Sequence, residues 1–197
     1  HERNRNPVAA LDDYTQAISI PFNEAVGFGD YAIAHTRRGA LLRRKGDFNA
    51  AVDDFTKALE INPGYARAYL ERGMAHAFLR KPQQATDDFL GAIHFEPHLP
   101  DAHSRYAWFL ATYPDEAYAR AKEAIKHATR ACELTEWKDA SRLGTLAAAY
   151  ARAGEFEQAI EWQRKCYALT PPTRRAAAQQ RLQLYEQGRP LIINYGA

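Results

Sequence analysis

Two acidic pairs, Asp53-Asp54 and Asp87-Asp88, stand thirty-four residues apart in the chain. Neighbouring carboxylates are raw material for acid–base catalysis, but that chemistry needs a reacting partner held at hydrogen-bond reach. No such nucleophile and base assemble here. The recurrence points to structure instead: both pairs fall in the early turns of expected helices, where negative charge complements the helix dipole. His94, Glu96, His98, Asp101 and His103 crowd one turn as metal ligands would. Convergent geometry is what a metal site requires, and a turn containing Pro97 and Pro100 does not guarantee it, so no metal is expected. Gly27-Phe28-Gly29 lacks the further glycine and the preceding strand of a dinucleotide loop, so no cofactor is expected either. Cys132 and Cys166 have no CxxC spacing and lie in apolar helical patterns, the setting of buried free thiols. An enzyme within these residues is not expected.

The elements around these residues are helical. Of the 197 residues, 46% are hydrophobic, and eleven tyrosines, nine phenylalanines and three tryptophans alternate with many alanines. Large against small is how closely approaching helices fill an interface. The 26 Lys and Arg against 24 Asp and Glu leave +2, too small a surplus to draw nucleic acid. No apolar run approaches the ~20 residues needed to cross a bilayer, so no membrane insertion is expected. Free thiols fit a reducing compartment, which favours the cytoplasm. The chain opens with His1 rather than Met, as expected of a fragment that has lost upstream residues, any targeting segment among them.

Self-comparison exposes a period of thirty-four. Residues 32–65 align without a gap on 66–99, matching Gly39 with Gly73, Ala51 with Ala85, Asp53-Asp54-Phe55 with Asp87-Asp88-Phe89, Ala58 with Ala92 and Pro63 with Pro97. Residues 140–173 repeat the pattern through Tyr150, Gly154, Phe156, Ala159 and Pro171. Residues 100–139 form a longer copy whose extra residues fall mostly around 112–116, in a lengthened linker or second helix. Ala9–Ile18 matches Ala50–Leu59, so residues 1–31 hold the second helix of a leading hairpin and an elbow at 21–30. Pro7 and Pro82 both open a second helix, where proline presets φ. Residues 174–197 read as a capping helix, stopped by Gly188 and Pro190, and a segment whose Leu191-Ile192-Ile193 folds back onto the last hairpin or docks elsewhere.

These copies resemble the tetratricopeptide repeat, and bacterial members of it in particular around Ala131–Phe156. Its small residue at the eighth position is Gly39, Gly73, Ala107 and Ala147 here; its alanine at the twentieth is Ala51, Ala85, Ala124 and Ala159. The large aromatic near the start of the first helix is replaced by His35, Tyr69, His103 and Leu143, which predicts looser packing there. The resemblance implies an all-α fold, a right-handed superhelical α-solenoid of antiparallel helix pairs.

It also implies a binding wall on the inward positions of each first helix. Those positions hold Arg37, Arg44, Arg67, Leu70, Met74, Phe78, Arg105, Trp108 and Arg152, with Ile33, Arg43, Ser104, Gly144 and Ala151 among their neighbours. Arginines beside aromatic and methionine surface favour an acidic or aromatic-containing peptide. Each has a second reading: Arg43 and Arg44 complement a helix dipole, and Phe78 and Trp108 pack against the next hairpin. The lysine and asparagine that clamp chaperone tails in some relatives are absent, since Thr36, Ala40, Leu70 and Met74 occupy those positions. The expected function is a scaffold for a protein or peptide partner. Self-association through the leading half-hairpin, or a regulatory appendage of a larger protein, is the alternative, and a single-stranded RNA binder is disfavoured by the charge.

Overall fold

Turn chemistry divides the chain into helices of nearly equal length. The computed structural model describes residues 7–19, 28–117 and 119–196; most of the expected elbow at 21–30, and Gly27 of the Gly-Phe-Gly stretch, lie outside them. Two compact units divide the chain between Phe95 and Glu96.

The first unit contains α1 (Pro7–Ser19), α2 (Phe28–Lys45), α3 (Phe48–Ile61), α4 (Ala66–Phe78) and α5 (Pro82–Phe95). Gly46 adopts φ 88°, which lets its N–H and that of Asp47 return to the Arg43 and Leu42 carbonyls and close α2. Asp47 then accepts from the Ala50 N–H and starts α3. A two-residue connection of this kind leaves two helices no choice but to pack side by side. Arg80, thirty-four residues after Gly46, makes the same left-handed turn at φ 56°, a conformation that costs a non-glycine residue about 1 kcal/mol.

Within each hairpin, side chains of the second helix fill the space that small residues leave on the first. Phe55 and Phe89 are fully buried, as are Ala51, Ala58, Ala85 and Ala92, and Phe55 clusters with Ala51 and Ala75. A Cβ on Gly39 would stand 2.8 Å from Phe55 Cε1, and one on Gly73 would stand 3.1 Å from Phe89 Cε1. The eighth-position glycine is therefore a contact requirement. Helix α1 packs against α2, and α3 against α4, so the unit's hairpins stack.

The second unit contains α6 (Pro100–Thr112), α7 (Ala121–Leu134), α8 (Ala140–Arg152), α9 (Phe156–Leu169), a 3-10 turn at Pro172–Arg174 and α10 (Arg175–Glu186). The extra length of this unit's first hairpin lies in the connection at 113–120, because α7 has the same 14 residues as α3 and α5. Where that copy lacks the late proline, Glu136 and Trp137 take φ of 50° and 60° in succession and the Trp137 N–H closes onto the Cys132 carbonyl. Helices α6 and α8 pack directly on each other, and α10 covers α9. Both cysteines are free and buried, and burial pushes the Cys132 thiol up to about 12.

The looser packing expected at His35, His103 and Leu143 is not found. Leu143 is buried, His35 bonds Asp54 and His103 bonds His127. At the first two, a polar bond has replaced aromatic bulk.

Candidate functional site

Ion pairs hold the first-unit wall in place. Arg38 on α2 donates through Nε and Nη2 to the Asp54 carboxylate of α3, both at 2.7 Å, and His35 Nδ1 lies 2.9 Å from the same group. Arg72 and His76 on α4 repeat this around Asp88 of α5, with Arg72 Nη2 at 2.7 Å and His76 Nδ1 at 2.8 Å. Arg72 also donates to Thr56 Oγ1 of α3. Burial raises the Asp54 pKa, but the hydrogen bonds from His35 and Arg38 outweigh it and leave the carboxyl below its ordinary range. The dipole explanation for the acidic pairs thus fails for Asp54 and Asp88: neither α3 nor α5 has an acidic residue in its first turn. Their role is to tie the two helices of a hairpin.

Glu71 of α4, only 2% exposed, makes a further pair of links. Arg43 of α2 reaches its Oε2 at 3.0 Å and Arg67 of α4 reaches its Oε1 at 3.2 Å. Arg43 and Arg67 therefore meet an internal carboxylate. Arg37 is exposed on α2 and donates to Tyr14 Oη of α1 at 3.3 Å. Arg44 is exposed in the last turn of α2, and Ile33 is 38% exposed.

Two expected groove residues on α4 do different work. Leu70 is fully buried, so it presents no surface to a ligand and belongs to the core. Phe78 stacks face to face on Phe48 of α3, ring centroids 4.8 Å apart, so it packs on the preceding hairpin, where the next one was expected. Met74 is half-buried.

In the second unit the corresponding wall is covered by the chain itself. Ser104 of α6 bonds Thr145 of α8. Trp108 of α6 is half-buried beneath the Arg181 guanidinium of α10, 4.9 Å from the ring centre, and Arg181 also passes Gly144 of α8. Arg152 donates to the Tyr113 carbonyl and meets Glu116 at 3.1 Å, its side chain only 7% exposed. Arg105 is half-buried. Beyond α10, Leu191 joins a cluster of Ala147, Ala151 and Tyr185. The Ile193 N–H bonds the Thr112 carbonyl at 2.9 Å and Tyr195 Oη lies 3.0 Å from Thr112 Oγ1. The Leu-Ile-Ile stretch thus touches the last hairpin and also reaches back to α6.

The histidine-rich turn resolves without a metal arrangement: among the described residues no group of three or more His, Cys, Asp or Glu converges as ligands would. His103 Nε2 donates to the Pro97 carbonyl, which leaves its Nδ1 to accept from His127 Nδ1 at 2.9 Å. Burial, and then the neighbouring His103, push His127 down to about 4. His103 and His127 also line a cavity of about 370 Å³ with Lys126, Thr129, Arg130 and Glu133.

Family models described as tetratricopeptide repeat match residues 32–65 and 140–173. The chain carries tetratricopeptide repeats over these two stretches. Among solved structures, a thermophilic tetratricopeptide protein of Thermus thermophilus superposes with a TM-score of 0.71 at 16% identity, covering 92% of this chain and 91% of that one. YrrB, described as a tetratricopeptide protein with an unusual peptide-binding site, gives 0.62 at 20% identity over 89% of this chain and 84% of its own. These likenesses give the all-α tetratricopeptide fold. A serine/threonine-protein phosphatase T of Aspergillus oryzae is 35% identical over 98 residues, 50% of this chain but 19% of the relative. The chain thus spans about a fifth of that protein's length.

Sequence reasoning missed the helix-tying role of Asp54 and Asp88 and the internal pairing of Glu71, and it gave no part to the contacts of Arg181, Thr112 and Tyr195. A signal existed for the first two, since Arg38 and Arg72 recur sixteen residues before Asp54 and Asp88. For Tyr195 the available signal was the alternation of Leu191, Ile193 and Tyr195 after Pro190.

Proposed function

We propose that this tetratricopeptide chain is an interaction scaffold that binds an extended segment of a partner protein on the α2–α4 wall of the first unit. One observation carries the reading: Ile33, 38% exposed, lies on the same helix as the exposed Arg37 and Arg44, with exposed Arg67 on the adjacent first helix. An apolar contact flanked by guanidinium groups suits a peptide with a carboxylate near an apolar side chain. The preference for acidic residues rests mainly on Arg44, because Glu71 already balances Arg43 and Arg67. The peptide-binding site attributed to YrrB supports the general mode. Among the described residues no helix is long and apolar enough to cross a membrane.

The test is selection of peptides from a random library on the full chain, followed by affinity measurement on Ile33→Asp and Arg44→Glu variants. Loss of at least about tenfold on both is expected, the scale of a truncated interface anchor. Selected peptides that bind both variants as well as the parent would remove the site from this wall. A second reading, a recognition module attached to a catalytic chain, draws on the match to a fifth of a phosphatase; the coding sequence on either side of these residues decides it.

A further inference from the structure

A different surface carries an inference beyond that reading. The wall of the second unit formed by the last turn of α6 and the alanine face of α8 holds residues 189–195 as a ligand would be held. Gly188, at φ 66°, ends α10, and Pro190 removes a donor and favours an extended chain. From there exposure alternates along the segment: Leu191 and Ile193 are half-buried, Ile192 is 42% exposed, Asn194 is exposed and Tyr195 is 2% exposed, the chain turning at Asn194 where the Tyr195 N–H bonds the Ile193 carbonyl at 3.1 Å. Every second side chain turns to the wall, as in recognition of an extended peptide.

The receiving groups have their own logic. Thr112 is the last residue of α6, so its carbonyl is one of the acceptors that a helix cannot satisfy internally. A backbone N–H from any residue can use it, and here Ile193 does, at 2.9 Å. Thr112 Oγ1 donates to the Trp108 carbonyl at 2.8 Å, which leaves that oxygen to accept from Tyr195 Oη at 3.0 Å. The Tyr195 ring packs against the Phe109–Tyr113 pair, at 6.5 Å and 5.4 Å between centroids, those two rings being 4.9 Å apart. A buried acceptor at the end of an aromatic slot selects tyrosine over phenylalanine, which would leave it unpaired. Upstream, Leu191 packs against the cluster of Ala147, Ala151, Ala159 and Tyr185. The pairings of α6 with α7, α8 with α9 and α6 with α8 do not involve the segment, so the slot belongs to the helices.

We propose that this slot is a second peptide-acceptor site, taking an extended partner segment with tyrosine preceded by aliphatic residues two and four positions earlier, and that residues 189–195 occupy it in cis. The tethered segment competes with any partner through its high effective concentration, so an incoming peptide meets an apparent affinity reduced by the fraction of time the slot is filled.

The probe is a fluorescent octapeptide with the sequence of Arg189–Gly196, titrated onto the full chain and onto its Tyr195→Ala variant. Binding to the variant is expected to be at least about tenfold tighter than to the parent, since the cis occupant has lost its anchor. The same peptide with phenylalanine at the tyrosine position should bind the variant more weakly. Because the variant could lose stability, hydrogen exchange on the unaltered chain provides a second reading: saturating unlabelled octapeptide should speed exchange of the 189–196 amides and leave those of α8 unchanged. No binding to a Tyr195→Ala chain that keeps the parent's circular dichroism would overturn the proposal. So would 189–196 amides that exchange as slowly as those of α8 at every peptide concentration, which is the behaviour of a segment that is core.

Discussion

Arg38 grips Asp54 through two parallel hydrogen bonds of 2.7 Å, joining the first helix of a hairpin to the second. The same pairing recurs between Arg72 and Asp88, one repeat period later. Each carboxylate also receives a histidine, His35 or His76. The arrangement keeps a charge acceptable inside a helix interface by surrounding it with matched donors, and it fixes how one helix slides along the other, because both bonds are lost if the register shifts by a residue.

Removing Asp54 alone should be far worse than removing its neighbour. Asp54→Ala leaves Arg38 and His35 without their carboxylate, and the expected loss is about 2 kcal/mol, below the range for a fully buried pair because the Arg38 side chain, 25% exposed, keeps access to water. Asp53→Ala, at an exposed position, should change stability by about 0.5 kcal/mol or less. The pH dependence has a definite sign. Asp54 titrates below its ordinary 3.8 in the folded chain, so its contribution is present above that value and disappears as pH falls through the lower folded pKa. Urea unfolding of parent and Asp54→Ala at pH 7 and again near pH 3 should show the gap narrowing in acid.

The helix count and period were legible because close approach of two helices demands small residues at fixed places, and that demand repeats whenever the hairpin does. Gly39 and Gly73 announce it directly. Burial of Asp54 was not legible from residue type, since aspartate ordinarily belongs at the surface; only its fixed offset from Arg38 carried the information. Leu70 and Met74 look equally exposed on a helical wheel, yet one is fully buried and the other half-buried, a difference set by neighbouring elements and invisible to a local pattern. Tyr195 meets Thr112 across 83 residues, and no period connects them. The repeat was therefore readable in position, while the pairings within each hairpin and the placement of the C-terminal segment required coordinates.

Filling the eighth-position space should cost more at Gly39 than at Gly73. The added methyl of Gly39→Ala would lie 2.8 Å from Phe55 Cε1, within a fully buried ring's volume, while Gly73→Ala meets nothing closer than 3.1 Å. Overpacking costs roughly 1–3 kcal/mol, and alanine returns about 1 kcal/mol through helix propensity. The expected outcome is a net loss of about 1 kcal/mol for Gly39→Ala and a smaller change for Gly73→Ala. Thermal unfolding of the two variants beside the parent checks the order.

The pairing of His127 with His103 predicts an acid sensitivity in a window above that of Asp54. His127 falls from 6.5 to about 4 on folding because burial, and then His103, disfavour its charged form. Lys126 acts in the same direction and Glu123 opposes it, while Tyr106 packs edge-on against the ring and donates its own hydroxyl to Glu123. Between pH 6.5 and 4 the unfolded chain takes up a proton at this position that the folded chain refuses, so stability must fall as pH falls across the window. His127→Phe keeps a ring beside Tyr106 and removes the titration. Relative to this variant, the parent should lose up to about 1 kcal/mol for each pH unit in that interval, with little further divergence below it. Urea unfolding at half-unit steps from pH 7 to 4 measures the difference, and the imidazole carbon shift of His127 in the folded parent should have its midpoint near 4. A constant difference across the interval would mean that folding leaves the His127 titration unmoved.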